Sequence, residues 1–551
     1  MTSLTSAIHN CAVLSLNVLV AFLALALGYI FYQVVIFVYA EATSTLHGLP
    51  GPKRGHWLYG NVLEALDLDR DIESEWIAEH GKTMKVHNIF NQKQLFTIDT
   101  KAIQHALTHT TIYQRSEASR YGLGRIVGPG ILVVEGEQHR QQRKIMNPAF
   151  GAPQVRALTS IFVDKALQLR DIWAAEIAAG SGSARVEAIS WLNKTTLDII
   201  GLAGFNYDIN ALGTANDAEQ DELATAFERV FASETNFSLW RIMQMKFKPL
   251  RKLVHNTLPF PLNHETHRTP PPYREQARDR GERDLRDGNG RDLLTLLVRA
   301  NTSKEIPEDQ RLCDEDVIAQ VPTFLVAGHE TTSTAVSWAL YALSLAPHIQ
   351  AKLRAELLGL ETDSPTMEEL NALPYLESVV RETLRLYAPV PSTGRMAMSD
   401  DVLPLETPYV DRNGVAHDSL RVNKGQALLI PILPLNRDKT IWGENALEFI
   451  PERWKDIENS GASKIPGAWA HMITFLGGPR SCIGFRFSLV ETKAILFTLI
   501  RAFKFSLAVP PEDMTKHENA IVQRPSVRSE KDKGAQLPLI IRRVQAAAVS
   551  A

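Results

Sequence analysis

The chain has 551 residues, of which 45% are apolar and 22% are charged, so it can bury a large core and is not of the disordered class. Its 59 basic and 62 acidic residues give a formal charge of -3, so the overall charge does not indicate a nucleic-acid-binding protein. The three cysteines, Cys11, Cys313 and Cys482, lie far apart and are odd in number, which argues against a disulfide framework and favours a reducing compartment.

The first predicted element is an apolar helix. Residues 11–40 carry no charged side chain, and as a helix they would reach about 45 Å, more than a bilayer core of about 30 Å. A cleaved signal peptide is the alternative, but no Lys or Arg precedes the run and the run exceeds a signal core. The first basic residues, Lys53 and Arg54, follow it, so the positive-inside rule predicts a lumenal N-terminus and a cytosolic body. We predict a single membrane anchor over residues 1–45, in the endoplasmic reticulum.

A proline-rich hinge is predicted over residues 46–60, because Pro50 and Pro52 restrict the backbone and neighbouring glycines supply turns. The anchor would therefore join the body through a stiff connection.

The body, residues 61–551, is predicted to be one mainly α domain with small β-sheets, an α+β fold. Helical patterns dominate, and β-branched runs at 93–98 and 426–432 predict strands of small sheets at the edges of the domain. The absence of regular strand and helix alternation argues against a doubly wound fold. The stretch 259–290 predicts an exposed loop followed by a solvated helix.

A short basic helix is predicted from Gly136, and it stops before Pro148. His139 and Arg143 lie four residues apart on one face, so together they can bind an anion. A solvated cationic helix is the alternative for this segment alone.

The longest helix is predicted from Asp314 to about Ala346. At its centre, Gly328, Glu330 and Thr331 lie in an apolar surround. If buried, the carboxylate and hydroxyl need hydrogen-bond partners, water or a ligand. A Thr that bonds back to its own helix is the structural alternative, but the pair beside a glycine favours a functional groove.

A helix that starts at Pro374 and ends before Pro389 carries Glu382 and Arg385 three residues apart on one face. Arg453, further along, can complete a buried network with them. On a surface, such pairs would have little significance.

The segment 475–486, with the sequence FLGGPRSCIGFR, surrounds Cys482 with glycines and arginines. An amphipathic helix follows, so the free amides of its N-terminus and Arg480 are expected to favour a thiolate. Glycines permit close approach of a large flat ligand. A buried inert cysteine is the usual alternative; the neighbours of a zinc site are absent, and nothing indicates the partners of a cysteine protease.

Four motifs resemble those of the cytochrome P450 family. The segment 475–484, FLGGPRSCIG, resembles the haem-binding signature, and AGHETT at 327–332 is similar to the oxygen-activation motif. ETLR at 382–385 resembles the Glu-x-x-Arg motif, and PERW at 451–454 its later arginine partner, with Trp where Phe is more frequent. All four occur in the family's order, so the resemblance implies the cytochrome P450 fold behind a membrane anchor of the eukaryotic, fungal-like type.

By this resemblance the cofactor is haem b, iron protoporphyrin IX, with Cys482 as the axial ligand of iron. The remaining residues implied to bind the haem are Arg143, His139, Arg395, Arg480, Phe475, Gly478 and Gly484. Many members of the family have Trp at the position of His139, and an imidazole can still donate one hydrogen bond. Glu382, Arg385 and Arg453 are implied to form a structural network rather than to take part in chemistry.

The resemblance implies an oxidoreductase that inserts one atom of O2 into an unactivated C–H bond, with Glu330 and Thr331 as the catalytic pair that organises water and delivers protons. No flavin or nucleotide fingerprint occurs in the chain, so electrons would come from an NADPH-dependent flavoprotein reductase. Its expected contacts are Arg140, Lys144, Arg486 and Lys493.

The substrate is expected to be lipophilic, a terpenoid, sterol, fatty acid or aromatic compound of secondary metabolism, reached in part from membrane lipid and oxidised once or in succession. Implied pocket segments are residues 116–130, 231–240, 324–328 and 390–393. One alternative is an isomerase or dehydratase that acts on an oxygenated lipid without O2. Another is a non-catalytic haem sensor or carrier.

Overall fold

The computed structural model describes residues 2–67, 70–180, 182–213, 251, 292–302, 307, 311–518 and 522–544. Helices dominate these residues and small sheets lie beside them, which confirms the predicted mainly α fold. The α-helices are α1 Thr2–Ala42, α2 Val62–Ala65, α3 Ile72–His80, α4 Thr100–Thr108, α5 Glu117–Val127, α6 Gly136–Met146, α7 Ala152–Ala179, α8 Ala188–Phe205, α9 Leu293–Thr302, α10 Asp314–Ile318, α11 Gln320–Leu345, α12 Pro347–Leu358, α13 Met367–Asn371, α14 Pro374–Leu386, α15 Ile432–Arg437, α16 Lys439–Trp442 and α17 Phe485–Ala502.

The strands are β1 Thr83–His87, β2 Lys93–Thr97, β3 Tyr113–Gln114, β4 Ser183–Glu187, β5 Ser392–Ala397, β6 Asp401–Val410, β7 Ala416–Val422, β8 Ala427–Pro431, β9 Phe503–Leu507, β10 Met514–Glu518, β11 Gln523–Val527 and β12 Pro538–Arg543. The two predicted strands are present as β2 and β8, and they lie inside the five-stranded sheet as neighbours. The long helix predicted from Asp314 is present as α10 and α11, which meet at Ala319. The predictions over 259–290 and 231–240 lie outside the described residues.

The first helix contains the segment Val13–Ala42, which is long and apolar enough to cross a membrane by its length and composition. Its mean hydropathy is 2.3, and no part of its most apolar window is buried by the rest of the protein. An apolar helix left uncovered by protein fits a lipid surround.

Long helices form the centre of the fold, where α11 packs on α8 and α17 packs on α7. Gly328 allows α8 to approach α11, because a Cβ there would lie 2.9 Å from the Ile200 side chain. Between α7 and α17, the rings of Phe162 and Phe487 meet edge to face with centroids 4.7 Å apart. The middle of the fold is therefore closely packed around α11.

The largest sheet has the strand order β1-β2-β8-β5-β3, in which β2 and β8 are parallel and the other neighbours are antiparallel. Along β5, Thr393, Arg395 and Ala397 are buried in alternation with more exposed residues. Because side chains alternate between the two faces of a strand, this register directs the Arg395 guanidinium into the protein.

Glu382, Arg385 and Arg453 meet where α14 joins the segment after α16. Both carboxylate oxygens of Glu382 accept hydrogen bonds from Arg385 at 2.9 Å, and Arg453 Nε donates to the same carboxylate at 2.8 Å. The indole N–H of Trp454 adds a bond at 3.1 Å. The side chains of Glu382 and Arg385 are completely buried, so this network joins distant segments of the chain from within.

Replacing Glu382 with Gln keeps the shape of the side chain and removes the charge on which the arginines converge. Because Arg385 would stay buried without a carboxylate, we expect the free energy of unfolding to fall by about 3–5 kcal/mol, measured by urea denaturation. Glu137→Gln is the matched control, since Glu137 and its partner Arg140 have side chains 79% and 66% exposed and such pairs contribute little. Equal losses in the two variants would contradict the structural role.

Candidate functional site

The loop before α17 is shaped by a glycine. Gly478 has a φ of +67°, and a Cβ there would lie 2.5 Å from the Leu107 carbonyl oxygen, so any side chain would displace the loop. The backbone N–H of Cys482 donates to the Phe475 carbonyl at 2.9 Å. The Phe475 ring in turn meets the Trp469 ring edge to face at 5.6 Å. The loop therefore holds Cys482 in a closed turn beside two aromatic rings.

The Cys482 side chain is exposed, yet desolvation by the surrounding protein raises the pKa of its thiol. Both observations hold if the sulfur borders an open space that lies inside the protein, because surface there is accessible but poorly solvated. The Gly484 N–H and then the Arg143 guanidinium act in the opposite direction and favour the thiolate.

Two expectations about this sulfur are corrected by the structure. The net shift of the Cys482 pKa is upward, because desolvation outweighs the helix-start amide. Arg480 forms an ion pair with Glu135, so the cation that favours the thiolate is Arg143 on α6.

On α6, Arg143 donates to the backbone carbonyl of Ser481 and, through Nε, to the Asn147 side-chain oxygen at 2.9 Å. His139 is buried on the same helix, and burial followed by Arg143 lowers its pKa to about 4. The imidazole is therefore neutral at physiological pH and can donate one hydrogen bond. The predicted His139 and Arg143 face is directed towards the cysteine loop rather than towards solvent.

A cluster of cations lies beside the loop. Burial and then Arg115 lower the pKa of Arg395 to about 9, and burial, Arg115 and Arg120 lower that of Arg480 to about 10. Glu135 is the carboxylate in this cluster, and it also accepts the Arg115 backbone N–H at 3.0 Å. The Arg120 Nε is buried without a hydrogen-bond partner among the described residues. Since buried cations require compensation, this cluster is suited to a further anion.

Arg115 was not predicted from the sequence. It precedes Ser116, whose hydroxyl caps α5 by accepting the Ser119 N–H, and this local signal marks only a helix start. Arg115 lies near Arg395 and Arg480 because of tertiary packing, and a short sequence motif contains no information about that packing.

A second wall is formed by α11, most of whose residues are buried. The half-buried positions in the middle of the helix are Ala327, Gly328 and Thr331. Phe150 links the two walls: its ring meets Phe324 of α11 edge to face at 5.4 Å and lies 3.8 Å from the position of a Cβ on Gly484. The cysteine loop and the half-buried face of α11 therefore adjoin the same part of the interior.

Glu330 and Thr331 have different surroundings although they are adjacent. The Thr331 hydroxyl donates to the Ala327 carbonyl at 2.7 Å and is half-buried. The Glu330 carboxylate is 2% exposed and is paired with the buried Arg524 of β11. His329 Nε2 lies 3.5 Å from the same carboxylate.

Burial opposes ionisation of Glu330, but Arg524 and His329 outweigh it and hold the pKa of the carboxyl below its ordinary value. At neutral pH the group is therefore a carboxylate and not a proton-bearing acid. Arg524 was not predicted from the sequence, because it lies on a strand that no motif connects to α11.

The residues at this site fit haem. Within the described parts of the chain no three His, Cys, Asp or Glu side chains are placed to hold a metal ion, so Cys482 lacks the ligand partners of a zinc site. Metal binding deprotonates a thiol, and the nearby Arg143 compensates that charge. The buried arginine cluster suits the two carboxylates of a haem. Fold and site together define a haem protein of the thiolate-ligated class.

Comparisons with known proteins agree. A family model described as Cytochrome P450 matches residues 50–529. Cytochrome P450 monooxygenase 205 of Postia placenta is 48% identical over 545 residues, covering 96% of this chain and 99% of its own. Cytochrome P450 monooxygenase 128 of the same fungus is 48% identical over 94% of this chain and 96% of its own. Cytochrome P450 monooxygenase claP of Ampulloclitocybe clavipes is 34% identical over 90% and 93%.

The chain belongs to the cytochrome P450 family, and it is an oxidoreductase of the monooxygenase type. The family implies a haem cofactor, a redox partner and O2. This result favours the monooxygenase over the isomerase and the haem carrier considered above.

Replacing Arg524 with Gln leaves Glu330 buried without its guanidinium. In the wild type the Glu330 pKa is lowered, so its contribution to stability is complete above the ordinary carboxyl pKa and is lost as the pH falls through the lowered value. In the variant, burial raises the pKa, so the carboxylate destabilises the protein at neutral pH and less so on acidification. We expect urea denaturation to show a larger loss of unfolding free energy at about pH 7.5 than at about pH 5.

The additional substitution Glu330→Gln removes the titrating group and should abolish this pH-dependent difference. Two outcomes would contradict the role assigned to the ion pair. One is an equal loss of unfolding free energy at both pH values in Arg524→Gln, and the other is an unchanged pH dependence of that loss in the double variant.

Proposed function

We propose that this protein hydroxylates an unactivated C–H bond of a lipophilic substrate with O2 and two electrons from NADPH. Substrate C–H, O2, NADPH and one proton become the alcohol, water and NADP+. The proposal rests mainly on Cys482, whose sulfur is accessible from the interior of the protein. The buried Arg395 and the half-buried Thr331 belong to the same site. Haem b is the proposed cofactor, and when bound it supplies the binding and reduction of O2.

Cys482 would ligate the iron, and the Gly484 N–H together with Arg143 would hold negative charge on its sulfur. The buried Arg395 and the half-buried Arg480 would bind the haem carboxylates, as cations beside the loop. Gly478 and Phe475 shape that loop through the contacts described above. Arg115 and the neutral His139 join this proposed set because each lies beside one of these arginines.

Thr331 and Glu330 would have different parts in proton handling. The Thr331 hydroxyl donates to Ala327, so its oxygen remains able to accept a hydrogen bond from water and to hold that water beside the reacting oxygen. Glu330, ionised by Arg524, would orient water by accepting hydrogen bonds rather than by supplying its own proton at neutral pH.

The substrate class follows from the apolar lining. Half-buried Leu123 and Ile126 on α5, together with Val390 and the buried Phe324, lie in the segments implied to contact substrate. Such a lining favours a terpenoid, sterol, fatty acid or aromatic compound. The uncovered α1 helix would hold the domain at a membrane, where such compounds accumulate. We propose the endoplasmic reticulum, with the domain cytosolic because Lys53 and Arg54 follow the helix.

An NADPH-dependent flavoprotein reductase is the proposed electron donor. Arg140, Lys144 and Arg486 are exposed and remain candidate contacts for an acidic partner face. Lys493 does not: it is buried, and its ammonium pairs with Glu377 at 2.6 Å. The prediction for Lys493 was wrong because that position of α17 faces the core.

The direct test of the proposed function is the carbon monoxide difference spectrum of the reduced, haem-loaded protein, followed by spectral titration with a library of lipophilic compounds. We expect the thiolate-shifted band in the wild type and its loss in Cys482→Ala. A correctly folded wild type without that band would overturn the assignment.

Replacing Thr331 with Ala removes the hydroxyl but keeps a small side chain. With reductase and a compound that the library identifies, we expect product formation to fall by about 100-fold while NADPH oxidation falls far less and hydrogen peroxide accumulates. The matched control is Thr159→Ala on α7, because the Thr159 hydroxyl also donates to a carbonyl four residues earlier, that of Val155 at 2.9 Å, and is buried. Equal product and NADPH losses in Thr331→Ala would contradict a role in proton handling.

Reversing the charges of Arg140 and Lys144 with Glu should raise the KM for reductase by about tenfold at low salt, with a smaller effect at high salt, because rim charges act through screened attraction. Reduction kinetics at several salt concentrations measure this. The control variant Lys504→Glu/Arg542→Glu changes exposed cations on β9 and β12. A change of similar size in the control would contradict a specific contact.

A further inference from the structure

The end of α1 is clamped to the large sheet. Glu41, in the last turn of α1, pairs with the Lys93 ammonium at 3.0 Å, and the same carboxylate accepts the Lys93 backbone N–H at 3.1 Å. Both bonds fall on the first residue of β2. The anchor therefore meets the domain through a two-point contact and not through a free linker.

The chain immediately after α1 is held by a second cation. Lys85 of β1 is 3% exposed, and its ammonium donates to the His47 carbonyl at 2.7 Å. Burial, then Arg412 and Lys93, lower the pKa of Lys85 to about 8. Burial is the main cause of this shift, and the repulsion that Arg412 and Lys93 add places both cations in the same neighbourhood as Lys85. Positive charge is therefore concentrated where the anchor enters the domain.

The turn between β6 and β7 reaches the same place. The backbone N–H of Arg412 donates to the Gly48 carbonyl at 3.2 Å. Val410 and Val415, on either side of the turn, are 55% and 52% exposed. A cation between two exposed apolar side chains is suited to the boundary between lipid headgroups and acyl chains.

The hinge adds an aromatic side chain and two more cations. Trp57 is 76% exposed, and its carbonyl accepts a hydrogen bond from Asn91, in the turn that leads to the clamped Lys93. Lys53 and Arg54 are exposed, and neither side chain has an ion-pair partner among the described residues. Trp is enriched at membrane interfaces because its ring is apolar and its N–H is polar.

We propose that Lys53, Arg54, Trp57 and Arg412 form a collar around the end of α1 that binds the headgroups of anionic phospholipids. The phosphate and carboxylate groups of phosphatidylserine match the cations, and the apolar α1 leads from the collar directly into acyl chains. The proposal rests on the membrane anchoring proposed above, and it is independent of the reaction.

Carboxylates near the collar are already engaged. Glu41 is paired with Lys93, Asp411 accepts hydrogen bonds from its own turn and contacts His417 at 3.2 Å, and Glu64 accepts a bond from Asn61. In the described part of the chain none of these three acids forms an ion pair with Lys53, Arg54 or Arg412, so the exposed cations of the collar are available for lipid phosphate.

The test uses the full chain in phosphatidylcholine vesicles with spin-labelled phosphatidylserine or phosphatidylcholine as the probe. We expect an immobilised fraction with preference for phosphatidylserine. We expect the preference to fall by about fivefold in the triple variant Lys53→Gln/Arg54→Gln/Arg412→Gln. This factor corresponds to the loss of one contact between a cation and a lipid headgroup. The matched control, Lys504→Gln/Arg542→Gln/Arg543→Gln, removes the same charge from the sheet of β4, β12 and β9 and should keep the preference.

Two further measurements keep the result decisive. Inorganic phosphate, compared with chloride at equal ionic strength, should not remove the preference; if it does, the site binds free phosphate and the lipid proposal fails. Brominated lipids should quench wild-type fluorescence more than that of Trp57→Phe, whereas Trp191→Phe on α8 should behave as the wild type.

Carbonate extraction and the carbon monoxide spectrum separate this proposal from the earlier ones. Every variant should remain in the membrane fraction and keep its spectrum. Absence of lipid preference in a wild type that is membrane-embedded and spectrally intact would overturn the collar alone. Extraction of the wild type by carbonate would overturn the anchoring on which the collar rests.

Discussion

The charge of the Cys482 sulfur is the constraint on which the rest of the site depends. A sulfur ligand must be reachable by a large cofactor, yet it must also lie where water does not compete for it. The surrounding protein therefore raises the thiol pKa, and among the described residues the Gly484 N–H and Arg143 oppose that effect. Iron would lower the thiol pKa further in the same direction as these two groups, because a metal ion stabilises the deprotonated sulfur. The polypeptide alone favours the thiol, and ligation would convert it.

Two buried carboxylates away from the cysteine loop follow a different rule, since each is paired with arginine within the polypeptide itself. Glu382 has two arginines and an indole N–H as partners, and Glu330 has Arg524. The arginine cluster beside the cysteine loop differs from both, because among the described residues its cations share one carboxylate, Glu135. The contacts therefore distinguish two kinds of buried charge. Ion-paired carboxylates stabilise the fold, whereas the arginine cluster has spare positive charge that suits an anionic ligand.

The sequence was sufficient to predict the features that local motifs record. The apolar α1, the glycine-rich cysteine loop, the pairing of Glu382 with Arg385, and the unusual acid and hydroxyl in α11 each depend on residues that are close in sequence. Arg115 and Arg524 were not predicted, because each acts through partners brought near by tertiary packing. Lys493 shows the reverse error: its charge indicated a surface contact, while the helix position that decides its burial depends on which face of α17 meets the core. Desolvation of Cys482 likewise depends on the enclosing protein, which a helix-start argument does not contain.

The bond between Glu41 and Lys93 has a practical consequence for anyone who shortens this protein to obtain a soluble form. The carboxylate belongs to the last turn of α1, whereas its partner begins β2 and has a side chain only 15% exposed. A truncation placed after Ala42 would remove the membrane segment and also the counter-ion of Lys93 at the start of β2. Starting the shortened chain just before Glu41 would keep that counter-ion while discarding nearly all of the apolar helix.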